Sequence, residues 1–281
     1  MERIRLAAIA AATLLAATTP SLAADIAIAA IHDDPPAPPI AIGGGWYLRG
    51  DVGVTNQKFR VLTHAELDLF PFEWLDKGKF RPATTIGAGF GYQFNSWFRA
   101  DVTGEYRSSS NFTARDRYPD AGLPGGFGYN DFSATKSELL TLVNAYLDLG
   151  TWSGFTPYIG VGGGFARVDI KNFRDWNELR NVDARAPNGS RWNFAWALHA
   201  GFAYDLTDQL KLDVGYRFVS LGKGRTGGPP RAIGAAGGFT TQPWVFNDIY
   251  SHDIRAGLRW TFGGPTAVAS LPWNDSLIRK Y

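Results

Sequence analysis

The triplet Ser251-His252-Asp253 places the three residue types of a nucleophilic hydrolase in consecutive positions. That chemistry needs an imidazole within reach of the hydroxyl and a carboxylate behind the ring. On a β-strand, however, Ser251 and Asp253 share one face while His252 takes the other, so the three do not converge. His199 could act as an acid or base with Asp205 or Asp213; the alternative is a hydrogen-bonded structural histidine. Neither these histidines nor His32 and His64 form a HExxH or HxxxH pair. With no cysteine in 281 residues there is no thiolate metal site, disulfide or cysteine nucleophile. The segments Gly160-Val161-Gly162-Gly163-Gly164 and Gly43-Gly44-Gly45 lack the Gly-Lys-Ser/Thr ending and following helix of a phosphate loop, and read as strand glycines that permit close packing and curvature. The expectation is a non-enzymatic chain with no catalytic residues, metal site or cofactor. A net charge of +2 without a basic cluster gives no reason to expect nucleic-acid binding.

The elements that carry these residues show a period of two. Trp46, Leu48, Val52 and Val54 alternate with Tyr47, Arg49 and Asp51. Thr84 to Phe94 and Trp97 to Arg107 follow, separated by Asn95-Ser96 and reading as a hairpin with one apolar face. Glu138 to Asp148, Pro157 to Arg167, Trp192 to Tyr204, Leu210 to Phe218 and Ile249 to Phe262 repeat the form. These are eight candidate strands of roughly 9 to 14 residues, close to the tilted span that a bilayer requires.

The connections alternate strictly between a few residues and roughly 20 to 30 residues. The long ones run from Lys58 to Lys79, Ser108 to Lys136, Val168 to Arg191 and Gly222 to Phe246. Short turns on one side and long loops on the other describe an outer-membrane barrel better than a soluble meander.

At the amino terminus Arg3 and Arg5 precede the apolar run Leu6 to Ala17, and Ser21-Leu22-Ala23 offers a small-x-small cleavage site. Residues 1–23 therefore read as a signal peptide. Residues 24–44, with Pro35-Pro36-Ala37-Pro38-Pro39, read as an extended periplasmic leader. Residues 45–262 form the barrel, and residues 263–281 a periplasmic tail.

The 33 glycines and the 10 Trp, 11 Tyr and 19 Phe then fall on two faces. Aromatics near strand ends, such as Trp46, Phe94, Trp192, Phe218, Tyr250 and Trp260, suit headgroup-level girdles among outer-membrane lipid and lipopolysaccharide. Small residues beside charges suit the cramped interior of an eight-stranded barrel. Arg99, Asp101, Glu105, Glu138, Asp148, Lys211, Asp213, Arg217, Asp253, Arg255 and Arg259 are expected to face one another in that lumen, with signs nearly balanced because unpaired buried charge is costly. Such a network plugs the barrel; a gated path for ions or small polar solutes is the alternative.

The Ala24-Asp25 start, the Pro-rich leader, Gly45-Trp46-Tyr47-Leu48-Arg49-Gly50-Asp51-Val52-Gly53, the segment Thr156 to Gly164 and the closing stretch His252 to Phe262 resemble alphaproteobacterial outer-membrane proteins of the opacity-porin and 25/31 kDa immunogenic type. The resemblance covers essentially the whole mature chain. It implies an all-β, eight-stranded antiparallel transmembrane β-barrel of the Gram-negative outer membrane, with long extracellular loops and a surface-antigen role. It also implies a signal for the barrel-assembly machinery in the last strand, at Leu258, Trp260 and Phe262, and attachment of the mature amino terminus, Ala24-Asp25, to peptidoglycan. Unlike many such barrels, this chain continues past Phe262.

Overall fold

In a computed structural model of the chain the described residues are 45–233 and 241–262. The expected signal peptide, the leader with Ala24 and Asp25, and the tail after Phe262 lie outside them. Twelve strands follow in order: β1 (Gly45–Lys58), β2 (Val61–Thr63), β3 (Glu73–Phe80), β4 (Ala83–Gln93), β5 (Phe98–Pro119), β6 (Phe127–Asp148), β7 (Phe155–Asn177), β8 (Val182–Arg185), β9 (Gly189–Asp205), β10 (Leu210–Arg225), β11 (Arg231–Ala232) and β12 (Val245–Thr261). Eight of them, β1, β4, β5, β6, β7, β9, β10 and β12, form a closed antiparallel ring. Closure is made by β1 on β12, with Leu48 opposite Trp260 and Val52 opposite Ala256. A closed ring leaves no unpaired edge, which is what lets strands cross a bilayer. The four shorter strands attach at one end: β2 to β12, β3 to β5, β8 to β7 and β11 to β8.

At the other end, where Gly45 and Thr261 lie, the connections are tight. Asn95 Oδ1 accepts the Trp97 and Phe98 amides at 3.0 and 2.7 Å, and Thr207 Oγ1 accepts the Leu210 amide at 3.0 Å. Short polar side chains thereby replace the missing ladder bonds of the turn. Gly150 and Gly154 take positive φ of 110° and 82° in the turn between β6 and β7, a backbone region that disfavours a side chain.

A belt of large apolar residues faces outward around the ring: Leu48, Val52, Ile86, Phe90, Val143, Ile159, Leu198, Ile254 and Leu258 are all exposed. Trp46, Trp97, Trp152, Phe155, Tyr204 and Trp260 bound it at the short-turn end, and Tyr106, Phe165, Trp192 and Phe194 at the other. No helix of the described residues is long and apolar enough to cross a membrane.

Beyond this belt the strands do not stop. Two of the connections expected as long loops are largely strand: β5 and β6 continue as one hairpin through Ser108–Pro119 and Phe127–Lys136, and β7 runs on to Asn177. Their polarity inverts as they leave the belt. On β5 the outward Val102 and Tyr106 give way to Asn111, Thr113 and Arg115, while the inward Arg99, Asp101, Glu105 and Arg107 give way to Phe112 and Ala114. Bulges mark the change. The pairing of β5 with β6 slips between Arg107 and Ser110, that of β10 with β12 slips at Gly222 (φ 79°), and Asn172 and Asp248 take φ of 53° and 51° on β7 and β12. Each slip changes which parity of residue faces inward. The emergent part is thus built like a soluble barrel, around buried Phe80, Phe112, Phe132, Phe173, Trp244 and Phe246.

Candidate functional site

Inside the belt, seven buried bases (Arg49, Arg99, Arg107, Lys136, Arg217, Arg255, Arg259) meet seven buried acids (Asp51, Asp101, Glu105, Glu138, Asp148, Asp213, Asp253). Ten of the eleven lumen residues expected from the alternation are among them. The exception is Lys211, which is half-buried at the short-turn end and pairs with Asp205. Four of the fourteen fall outside the set expected from the sequence. Arg49, Asp51 and Arg107 lie on the correct alternating face and were legible there; Lys136 sits in a segment that reads as loop.

The network is layered. Nearest the short turns, Arg259 Nε donates to Asp213 at 3.1 Å and Arg99 Nε to Asp148 at 3.1 Å. Both Nη atoms of Arg99 lack a hydrogen-bond partner; the guanidinium lies 4.1 Å from the Tyr146 ring centroid and 4.8 Å from that of Tyr158, so aromatic faces take the place of acceptors. Next, Arg49 Nη1 reaches Asp101 at 3.1 Å, and Arg255 Nη1 reaches Asp51 at 3.2 Å. The layer above is the tightest. Arg217 Nη2 donates to Glu105 and to Asp253 at 2.7 Å each, and Arg107 grips Asp253 through both Nη atoms at 2.9 Å while also donating to Ser251 and Thr55. Lys136 closes the stack on Gln57 and Glu138, with Nζ 4.5 Å from the Phe80 ring centroid. Above that ring begins an aromatic cluster in which Phe112 and Phe246 centroids are 4.9 Å apart and Phe59 lies 5.5 Å from each. Charge below and aromatic rings above fill the lumen.

The hydrolase-like triplet does not assemble. Ser251 and Asp253 are buried in the lumen and bonded to each other, while His252 lies on the outward face with Nδ1 2.6 Å from Tyr216 Oη. His199 meets neither Asp205 nor Asp213; its Nε2 lies 3.1 Å from Asn144 Oδ1 and its ring packs 5.2 Å from that of Tyr146. The strand glycines make room for these side chains: a Cβ on Gly160 would meet Tyr146 Cδ1 at 2.5 Å and the Ala145 carbonyl at 2.8 Å.

The emergent cap offers two features. Its outward face carries cross-strand ion pairs, Arg117 with Glu73 at 2.6 Å and Arg174 with Asp183 at 2.9 Å, and at the tip Arg180 pairs with Asp120 at 2.6 Å. Hydrogen bonds from Arg180 hold Asp120 below the usual carboxylate range, and Arg174 does the same for Asp183. Its tip holds a half-open cavity of about 570 Å³ with apolar walls including Phe70, Phe72, Phe132, Val182 and Trp244. Asp116 and Asp175 line the same cavity. Burial pushes the Asp116 carboxyl up to about 6; burial, and then the charge of Asp116, push Asp175 up to about 7.

A family model described as outer membrane protein beta-barrel domain matches residues 9–262. An uncharacterized protein of Brucella melitensis is 30% identical over 279 residues, covering 89% of this chain and 95% of that protein. A Rickettsia bellii protein named putative adhesin is 26% identical over 219 residues, covering 76% and 87%. Among solved structures, the outer membrane protein OprG from Pseudomonas aeruginosa is 17% identical, covers 77% of this chain and 96% of its own, and superimposes with a TM-score of 0.45.

Proposed function

The chain belongs to the outer membrane protein beta-barrel domain family, and from that premise we propose that it is a non-enzymatic, adhesion-type surface protein whose working part is the extracellular cap. The observation that carries this reading is the inversion of polarity along β5 and its neighbours, which builds a folded, water-facing body above the bilayer instead of slack loops. A folded cap presents ion pairs to a partner surface and avoids the ordering cost that an unfolded loop bears on binding. The name of the Rickettsia bellii relative fits the same role. The membrane part then serves as an anchor that contributes to envelope integrity, and the leader from Ala24-Asp25 serves as a tether to peptidoglycan.

Display tests the cap directly. A non-adherent Gram-negative host carrying the full chain is expected to bind epithelial cells or matrix-coated surfaces. A variant with residues 111–134 replaced by a short turn, still heat-modifiable on gels, is expected to lose that binding. Equal binding by both, or by neither, rejects the reading. For the tether, recovery of a muropeptide-linked peptide beginning at Ala24 from digested sacculi supports it, and its absence removes it. Transport is the competing role: steady single-channel steps that change on Arg217→Ala or Glu138→Gln would favour a gated pore.

A further inference from the structure

We propose that the cavity in the cap binds a small hydrophobic ammonium, a primary or quaternary amine on an aromatic or branched apolar body, with Asp175 as its counter-ion. This goes beyond the adhesion reading and does not depend on it. The volume of about 570 Å³ lies within the usual range of roughly 300 to 1,000 Å³ for small-ligand sites. Most of the wall is hydrocarbon and aromatic, from Leu67, Phe70, Phe72, Phe132 and Val182, and suits an apolar body.

The polar part of the wall is one-sided. Asp116, 5% exposed, accepts from Asn130 Nδ2 at 3.0 Å through Oδ1. Asp175, across β6 from it, makes no side-chain hydrogen bond or ion pair among the described residues, and no base neutralises it. In the lumen every buried carboxylate has an arginine or lysine against it; here two carboxylates have none. The neighbouring charges do not fill the role. Arg180 reaches the cavity but is committed to both oxygens of Asp120. Arg174 pairs with Asp183 on the outward face, and Asp131 adds a further negative charge near Asp116. Asp68 is occupied by the His64 amide, and Tyr118 accepts from Asn177 at 2.6 Å.

Trp244 points to a guest that carries an acceptor besides its charge. Trp244 lines the cavity, is 2% exposed, and its indole N–H has no partner. Its ring is packed against Phe173, Phe132 and His64, so what it offers is the N–H, a donor that an acceptor oxygen on the apolar body of the guest would meet, since an ammonium has no lone pair. An unpaired acid beside apolar walls, once ionised, selects an ammonium over an alcohol or a carboxylate, because only the cation neutralises its charge.

The test uses the full chain refolded in detergent, with phenethylammonium as probe and 2-phenylethanol and 3-phenylpropionate as its neutral and anionic counterparts. Saturable binding is read by saturation-transfer NMR against empty micelles. At pH 8 the ammonium is expected to bind at least about tenfold more tightly than either counterpart, the scale of one charge pair. Binding should weaken toward pH 5.5, where Asp116 and Asp175 become protonated while the probe stays charged. Asp175→Asn is expected to remove the preference, Asp175→Glu to retain it, and Val182→Trp to block the cavity with both carboxylates in place. Heat-modifiable migration establishes that each variant has folded, and Val182→Trp serves should Asp175→Asn not fold. Equal binding of ammonium and alcohol, absence of saturable ammonium binding at pH 8, or binding unchanged by the folded variants overturns the proposal.

Discussion

Arg107 and Asp253, 146 residues apart in sequence, face each other across the lumen in a two-point pair, Nη1 to Oδ2 and Nη2 to Oδ1, each at 2.9 Å. Asp253 is shared with Arg217, and Arg107 with Glu105 and Glu138, so each charge is held by at least two of opposite sign.

Breaking that pair on one side leaves an uncompensated buried charge, which costs about 3 to 5 kcal/mol. Arg107→Ala is therefore expected to lower the urea midpoint of the folded barrel markedly. Replacing both partners, Arg107→Met with Asp253→Leu, should cost less than the sum of the single changes. Additive effects in this double-mutant cycle would show that the two do not interact.

The filled lumen predicts that the refolded chain gives no steady single-channel steps in a planar bilayer. The charges are locked against one another, and the aromatic cluster of Phe59, Phe112 and Phe246 stands above them. Regular steps under moderate voltage would mean that the plug opens.

Gly160 and Gly163 separate packing from glycine content. A side chain at Gly160 would run into Tyr146 and the β6 backbone, whereas at Gly163 the nearest atom is Phe194 Cζ at 3.9 Å. Gly160→Val is expected to destabilise by about 1 to 3 kcal/mol through overpacking, and Gly163→Ala to be well tolerated. The fraction showing heat-modifiable migration after refolding compares them; equal yields would refute the close packing of β6 and β7.

How legible this was in the sequence depends on where a residue lies along its strand. Within the belt, Arg99, Asp101 and Glu105 alternate with Val102 and Tyr106, and the period of two alone assigns their faces. Above it, Ser108 to Pro119 presents Asn111, Thr113, Arg115 and Arg117 to water, and a polar, serine-rich stretch reads as loop. The slip between Arg107 and Ser110 compounds this, because the inward parity changes from odd to even just as the inward residues turn apolar. Lys136 is illegible for the same reason, while the cavity at the tip depends on Trp244, Asp116 and Asp175 meeting from three separate segments, which no local pattern records.

The cap should also respond to pH through Asp175. Its carboxyl lies raised to about 7, above its value in the unfolded chain, so the folded cap holds a proton that the unfolded chain has lost. The stability it contributes is fully present at acidic pH and is lost as pH rises through about 7. His64 works in the opposite sense: burial lowers its pKa, so its contribution is lost as pH falls. The comparison that isolates Asp175 is wild type against Asp175→Asn by hydrogen exchange of Phe127–Lys136 between pH 5.5 and 8. Protection in the wild type should fall relative to the variant as pH rises; a constant difference would contradict the assignment.

One set of strands crosses the bilayer apolar-side-out and then continues into water apolar-side-in. Because the chain has no cysteine, single nitroxides can be placed cleanly at Val102→Cys, Tyr106→Cys, Thr113→Cys and Arg115→Cys along β5. Electron paramagnetic resonance in lipid bilayers then compares collisions with oxygen, which partitions into lipid, and with a water-soluble nickel chelate. Positions 102 and 106 are predicted to favour oxygen, and positions 113 and 115 to favour nickel, with the crossover between Tyr106 and Asn111. Lipid-like values at 113 and 115, or water-like values at 102 and 106, would contradict it.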